Sequence, residues 1–356
     1  MRFSVLCREA WRDIVSGVAR LPLLGALSAV VLLGGLGLDL FAVGMLIQRA
    51  EQFQAAGAAV ITVYAPARID GEACESLNRL PDVRASGALR ETGRELTPEL
   101  LPLSRVSVYE TTRSFPGVVR SDGTGPGMHL SRDLAQTFDL TTGEEISFAG
   151  YLLAPVAGVY AWDDTDGRRG GYGYAALIPV DTGAPFDECW VDLWPVSRDS
   201  RELLLLAAIP GGAGEPPQLG QLNTTLGTQF DAVGEFRGRP TRWVPLGVAL
   251  CLFGLGFGAV RRRRLEIVSD LHAGLHRDDM YFKHLLVSGA WALTGACLSA
   301  PVVAVVIGAL PAQDRAAMAG LAGSCGLLGV AAVQCGTAAA LALIRQRHFF
   351  AYFQQR

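Results

Sequence analysis

Asp39 is the residue whose position most strongly suggests chemistry, because it is the only charged side chain in the run 21–47. A carboxylate inside so long an apolar run is costly unless it is neutralised, hydrated or paired. Asp39 could line a substrate cleft, stay partly hydrated near one end of the run, or bond to a neighbouring helix. The residues alone leave these alternatives open.

Groups for catalysis are scarce. The segment 49–242 has no nucleophile–base spacing, glycine-rich phosphate loop or HExxH motif, and its only histidine, His129, is expected on the surface at a helix start. A Walker A loop needs GxxxxGK[ST], but the only lysine of the chain, Lys283, follows Phe282. No Cys/His spacing suggests a metal site. The sequence therefore predicts a chain that is not an enzyme alone and holds no cofactor.

The cysteines fall into two groups. Cys74 and Cys189 lie in the segment 49–242, where a disulfide between them or two separate buried thiols are both possible. The other five are Cys7, near the N-terminus, and Cys251, Cys297, Cys325 and Cys335, in apolar runs. A thiol in such a run is a small apolar filler.

Composition points to a membrane protein, since only 18% of residues are charged, 50% are hydrophobic and the mean hydropathy is +0.29. Soluble domains carry about 25% charge. Four apolar runs are expected to cross a bilayer, because a helix of about 20 residues spans its core. They are 21–48, 243–260, 285–310 and 319–344. The first is too long for the h-region of a signal peptide, so we expect an uncleaved anchor.

Arginine placement predicts the orientation. Basic residues are dense in residues 1–20, in the loop 261–284 and in the tail 345–356, which are therefore expected in the cytoplasm. The segment 49–242 is expected outside the plasma membrane, with the short outer loop at 311–318. That segment has 17 arginines and 26 acidic residues, a net charge of −9, whereas the rest of the chain carries +6.

Each segment between the spans has its own pattern. Residues 4–20 predict an amphipathic interfacial helix, with Arg8, Arg12 and Asp13 on the polar side. Residues 49–242 predict an α+β domain, with helices at 72–80 and 128–138 and strands at 60–64, 104–109, 145–149, 152–160, 172–180 and 189–194. Residues 265–284 predict a helix–turn–helix broken at Gly274. Small residues such as Gly35 and Gly256 are expected to let helices pack closely, or to be flexible filler.

Three features together resemble the permeases of MacB/FtsX-type ABC transporters, the type VII or mechanotransmission family. The order is one span, a large outer domain and three further spans. The stretch 129–148, HLSRDLAQTFDLTTGEEISF, is similar to the family's "s-x-x-L-A-x-x-x-x-L-x-x-G-d-x-i-x-f", and VAGVY follows at 156–160. The loop RRLEIV at 263–268, with Gly274, is similar to the family's coupling helix.

The resemblance implies a four-span α-helical membrane protein with an α+β domain inserted between its first and second spans. It implies a pair of permeases, of the same or related chains, with two copies of an ABC ATPase that binds ATP and Mg. The residues expected to couple to that ATPase are Glu266, Ile267, Leu271, Gly274 and Arg277. No nucleic acid is expected as a partner; membrane lipids are.

Two functions follow from the resemblance. The first is export of an amphiphilic cargo, such as a peptide, an antibiotic, a lipid-linked molecule or haem. Asp39, Met45 and Glu51 are then the candidate cleft residues, with Met45 and Glu51 offering haem a sulfur and a carboxylate. The alternative is a non-transporting regulator that passes ATP-driven motion to an extracytoplasmic cell-wall hydrolase bound to the acidic outer domain.

Overall fold

The computed structural model describes residues 3–99, 103–123, 125–148, 152–181, 183–196, 198–211 and 215–344. The tail 345–356, expected in the cytoplasm, lies outside these residues. The chain divides into two compact units. The helical unit comprises Met1–Ile47 and Val233–Arg356, and the sheet domain comprises Gln48–Ala232.

The described residues form eleven α-helices. In chain order, they are α1 (Phe3–Val15), α2 (Leu21–Ala55), α3 (Gly71–Ser76), α4 (Phe115–Val118), α5 (Arg132–Thr137), α6 (Arg198–Leu203), α7 (Ala232–Gly238), α8 (Val244–Arg262), α9 (Arg264–His272), α10 (Arg277–Gly308) and α11 (Ala312–Ala342).

Four helices are long and apolar enough to cross a membrane: Leu21–Ala55, Pro240–Arg262, Arg277–Gly308 and Ala312–Ala342. Their large apolar side chains are widely exposed, with Phe41 at 70%, Val305 at 75% and Leu327 at 76%. Exposing so much apolar surface to water is unfavourable, whereas exposing it to hydrocarbon is not. A bilayer is therefore the solvent that suits this unit.

Close helix packing in the helical unit depends on particular glycines. A Cβ on Gly256 of α8 would lie 2.5 Å from the backbone oxygen of Val333, and one on Gly336 of α11 would lie 2.1 Å from that of Phe253. Gly254 and Gly258 have open space instead. The expected close approach therefore belongs to Gly256 and not to its two neighbours in the GxGxG run.

The sheet domain contains a mixed sheet. Its described strands are β1 (Val60–Ile69), β2 (Val83–Leu96), β3 (Val106–Thr111), β4 (Met128–Ser131), β5 (Glu145–Phe148), β6 (Leu152–Tyr160), β7 (Ala175–Pro179), β8 (Phe186–Leu193) and β9 (Gln218–Gln221). Their order is β5-β6-β4-β7-β3-β2-β8-β1-β9, with β3/β7 and β4/β6 parallel and the other pairs antiparallel.

Alternation along β8 gives the sheet two apolar faces. Cys189 and Val191 point into a core with Ile61 and Val63, whereas Trp190 points into a second core that contains Phe115. Cys74 of α3 and Cys189 form a disulfide across 115 residues, with their Cα atoms 5.9 Å apart. This bond holds α3 against strand β8 of the sheet.

One predicted element of the sheet domain was wrong in type, and several elements were not predicted: α4, α6, β2 and β9. Residues 128–138 are not one helix, because Met128–Ser131 is a strand and the helix begins at Arg132. All four residues of that strand are buried, so burial outweighs the local helical pattern. The strand Val83–Leu96 was not predicted, because its polar half, RETGREL, lacks the apolar alternation of a strand.

Candidate functional site

The connector between α8 and α10 consists of α9 and a glycine turn. Gly274 has a φ of +95°, and Leu275 N–H donates to the oxygen of Asp270, so the helix closes with a left-handed glycine turn. Ile267 and Leu271 are 1% and 5% exposed. They pack in a cluster with Val260, Val268, Met280, Ala340, Leu341 and Ile344.

The five residues predicted to couple to an ATPase differ in exposure. Ile267 and Leu271 are buried within the helical unit. Glu266, Gly274 and Arg277 are exposed at the same connector. A partner that docks on α9 would meet these three positions.

An ion network fastens the connector to the N-terminal helix. Arg263 Nη2 lies 2.9 Å from Asp13 Oδ2, and Arg263 Nε donates to Glu266 Oε2 at 2.9 Å. Lys283 Nζ lies 3.4 Å from Asp13 Oδ2 and 4.0 Å from Asp270 Oδ2. Asp13 was expected on the polar side of α1. In the structure, it links α1 to Arg263, which caps the start of α9, and to Lys283 of α10.

Three residues of the network have shifted pKa values: Arg263, Glu266 and Asp270. Burial by itself would lower the pKa of Arg263, but its hydrogen bonds to Glu266 and Asp13 outweigh burial and raise that pKa. The same bond from Arg263 lowers the pKa of Glu266. Burial raises the pKa of Asp270. Arg263 and Glu266 therefore remain a charged pair at neutral pH.

Asp39 is paired within the helical unit. Its Oδ1 accepts from Arg239 Nε at 3.0 Å and its Oδ2 from Arg239 Nη2 at 3.3 Å. The Arg239 guanidinium also lies 3.9 Å from the ring centre of Phe236. Of the alternatives for Asp39, the structure shows a bond to a residue that begins the turn into α8.

The three candidate cleft residues have three different settings. Asp39 is 1% exposed and Met45 is 40% exposed. Asp39 and Met45 are six residues apart on α2, so their side chains project about 120° apart around the helix. Glu51 belongs to the sheet domain, where it lines a hollow of about 400 Å³ with Gln54, Arg84, Arg120 and Asp192. The structure therefore does not bring Asp39 and Met45 to one face.

The last turns of α2 are built into the sheet domain. Phe53 is 2% exposed, and its ring centre lies 5.7 Å from that of Phe230 and 6.3 Å from that of Trp194. Gln54 accepts hydrogen bonds from Arg84 and Arg120. Arg84 also pairs with Asp192 of β8, at 2.5 Å. The helix end is thus held by an aromatic cluster and by polar contacts.

His129 is buried rather than on the surface, which corrects the sequence-based expectation. It is 1% exposed, and its Nδ1 lies 2.7 Å from Ser121 Oγ, a pairing that sequence spacing did not reveal. Burial lowers the pKa of His129. The neighbouring Asp122 accepts from Val159 N–H and Thr142 Oγ1, so it does not orient the imidazole as a catalytic carboxylate would. The pair is best explained as a bond that fixes β4.

Within the described ranges, no group of three His, Cys, Asp or Glu side chains could hold a metal ion.

No protein-family model and no curated protein matches the chain. Solved structures are similar to parts of it, among them the following three. The periplasmic region of MacB from Actinobacillus actinomycetemcomitans has a TM-score of 0.34 and 10% identity, and covers 49% of this chain and 94% of its own.

The second is the extracellular domain of the noncanonic ABC-type transporter YknZ from Gram-positive bacteria, with a TM-score of 0.29, 14% identity and coverage of 46% and 100%. The third is a domain assigned to a permease protein from Porphyromonas gingivalis. It has a TM-score of 0.31 and 12% identity, and covers 52% of this chain and 98% of its own. Because every TM-score is below 0.5, the function is inferred from the chain's own residues.

Proposed function

We propose that this chain is the permease subunit of an ABC exporter. It couples ATP hydrolysis by a separate ATPase to movement of its extracytoplasmic sheet domain, which extrudes an amphiphilic cargo. The observation that carries the proposal is the continuity of α2. This one helix runs from Leu21 to Ala55, begins as an apolar span and ends inside the sheet domain.

The end of α2 is suited to transmit force. Phe53 is buried among aromatic rings, and Gln54 is held by two arginines. A helix anchored in this way cannot slide without displacing the groups that hold it. Movement of α2 would therefore act on the sheet domain directly.

The connector is suited to receive force. Ile267 and Leu271 bury α9 in the helical unit, and Arg263 ties it to Asp13 of α1. A load applied to the exposed positions Glu266, Gly274 and Arg277 would pass to α1, α8 and α10 rather than bend α9 alone. This explains why a connector of nine helical residues is packed so firmly.

The first experiment tests the ATPase partnership with the full chain, co-expressed with a candidate ABC ATPase from the same genome. Arg277→Glu reverses an exposed charge at the connector, and Arg315→Glu makes the same change in the first turn of α11. We expect Arg277→Glu to reduce co-purification at least about tenfold, the equivalent of 1.4 kcal/mol. Equal recovery with both variants would contradict docking at the connector.

The second experiment tests the orientation. In a chain whose free cysteines are replaced by serine, Ser269→Cys and Gln313→Cys each add one exposed thiol. With a membrane-impermeant maleimide on intact cells, we expect labelling of Gln313→Cys only, and labelling of Ser269→Cys after lysis. The reverse result would place the connector outside.

The third experiment separates export from regulation of a hydrolase. Candidate amphiphiles, including haemin, are added to the purified permease–ATPase complex and ATP turnover is measured. Stimulation by an amphiphile supports export. Stimulation only by an extracytoplasmic hydrolase would favour the regulatory function and would overturn the exporter proposal.

A further inference from the structure

The helical unit contains a cavity of about 740 Å³ between the α1–α2 turn and helices α8 and α10. Its walls change character along the helices. Arg20 and Arg262 lie where α2 begins and where α8 ends, whereas Leu23, Leu27 and Leu255 lie further along the apolar spans. One side of the cavity is therefore cationic and the other is hydrocarbon-like.

The two arginines are available for a ligand. Arg20 and Arg262 are both exposed, and neither forms an ion pair with another described residue. The third arginine of the lining, Arg263, is already engaged by Asp13 and Glu266. The carboxylate of Glu266 is therefore neutralised, and two positive charges remain at the cavity.

The inner wall offers polar groups at the depth of the apolar part. Thr337 Oγ1 is buried and has no hydrogen-bond partner among the described residues. His284 and Ser288 also line this wall, beside the apolar face of Trp291. A buried hydroxyl without a partner is unfavourable, so a ligand that accepts its hydrogen bond would be favoured.

We propose that this cavity binds one anionic phospholipid of the membrane that the chain spans. The lipid phosphate lies between Arg20 and Arg262, an ester oxygen accepts from Thr337, and an acyl chain runs along Leu23, Leu27 and Leu255. Arginine suits a phosphate because its planar donors bind two oxygens at once. The proposal rests on the helices crossing a bilayer, not on an ATPase partner.

Other occupants fit the cavity less well. A soluble anion would use the two arginines but not the apolar wall. The chain's own tail, 345–356, carries three arginines and no acidic residue, so it would meet Arg20 and Arg262 with like charge. A phospholipid satisfies both parts of the cavity at once.

The bound lipid would also lie beside the connector. Arg263 and Glu266 of the ion network line the same cavity as the α1–α2 turn. A lipid held there fills the space between that turn and α8. Binding would therefore stabilise the folded helical unit, by linkage between ligand and folded state.

The test measures lipid retained by the purified full chain in detergent, by native mass spectrometry, with phosphatidylglycerol and phosphatidylcholine as probes. We expect one phosphatidylglycerol to be retained at least tenfold more strongly than phosphatidylcholine. The double variant Arg20→Glu/Arg262→Glu is expected to lose that preference. The control Arg8→Glu/Arg12→Glu, which makes the same charge change on exposed positions of α1, is expected to keep it.

A second variant fills the cavity without changing its charge. Gly258 lines it, and a Cβ there would meet nothing within 4 Å, so Gly258→Leu should fold and exclude the lipid. Gly247→Leu is its control, because Gly247 is on the same helix, equally open and outside the lining. Lipid retention by Gly258→Leu equal to that of Gly247→Leu would overturn the proposal. Equal retention of the two lipids by the unaltered chain, or equal loss in both charge variants, would also overturn it.

Discussion

Arg239 forms a two-pronged ion pair with Asp39, 200 residues earlier in the chain, through contacts of 3.0 and 3.3 Å. The side chains of Arg239 and Asp39 are only 13% and 2% exposed. Asp39 lies in the first span, and Arg239 immediately precedes the turn that starts the second. The pair thus joins the two helices that lead into and out of the sheet domain.

Removing one partner of this pair should be costly. Asp39→Ala leaves a buried guanidinium without its counter-charge, so we expect it to destabilise the chain by about 3–5 kcal/mol. Asp39→Ala/Arg239→Ala should cost less than the sum of the single variants, with a coupling of about 1–3 kcal/mol. Denaturant titration of the purified full chain measures both. Met45→Ala, at an exposed position of α2, is the control. A coupling near zero would show that the pair does not stabilise the fold.

The Cys74–Cys189 disulfide should stabilise the sheet domain. Both sulfurs are buried and the bond closes a loop of 115 residues, so its loss should cost about 2–4 kcal/mol. Cys74→Ala/Cys189→Ala is compared with Cys7→Ala, which removes a free thiol. Thermal unfolding gives the stability difference. If alkylation without reductant labels Cys74 or Cys189, the bond is absent.

Replacing glycine by alanine should lower the stability of the chain at Gly256 of α8 but not at Gly247 of the same helix. Gly256→Ala places a Cβ against the backbone of Val333, so helix α8 must shift, at a cost of about 1–3 kcal/mol. Gly247→Ala meets nothing within 4 Å and should change stability little. Denaturant titration of both variants checks this. A smaller loss for Gly256→Ala than for Gly247→Ala would be inconsistent with the close helix contact.

The stability of the sheet domain should depend on pH through His129. Burial lowers the pKa of His129 below its ordinary value of 6.5. The unfolded chain therefore binds more protons just below pH 6.5, so stability is fully present above 6.5 and declines as the pH falls. The slope from this one group is at most about 1.4 kcal/mol per pH unit.

His129→Gln should remove this part of the pH dependence, while His276→Gln, at an exposed histidine, should not. Unfolding of the full chain is followed from pH 7 to pH 5 by the fluorescence of the buried Trp190. A pH slope that is the same in the two variants would rule out His129 as its source.

Much of the helical unit could be predicted because a bilayer imposes a one-dimensional requirement. A span needs a continuous apolar stretch of about 20 residues, which is visible without knowing any contact. The four candidate spans and the glycine turn at Gly274 are of this kind. In the sheet domain, β-branched and aromatic residues predicted strands such as the start of β1. They did not predict β2, because half of its length is polar.

What the sequence determined by itself was therefore local: where apolar runs lie, where a helix must end, and that a lone carboxylate in a span needs an explanation. Only the tertiary structure decided which residues meet. Arg239 pairs with Asp39, which is 200 residues away in the sequence, and Arg263 pairs with Asp13, which is 250 residues away. The reason is physical, since the partner of a buried charge is selected by how whole helices pack, and any of the chain's 31 basic residues is equally plausible until that packing is known.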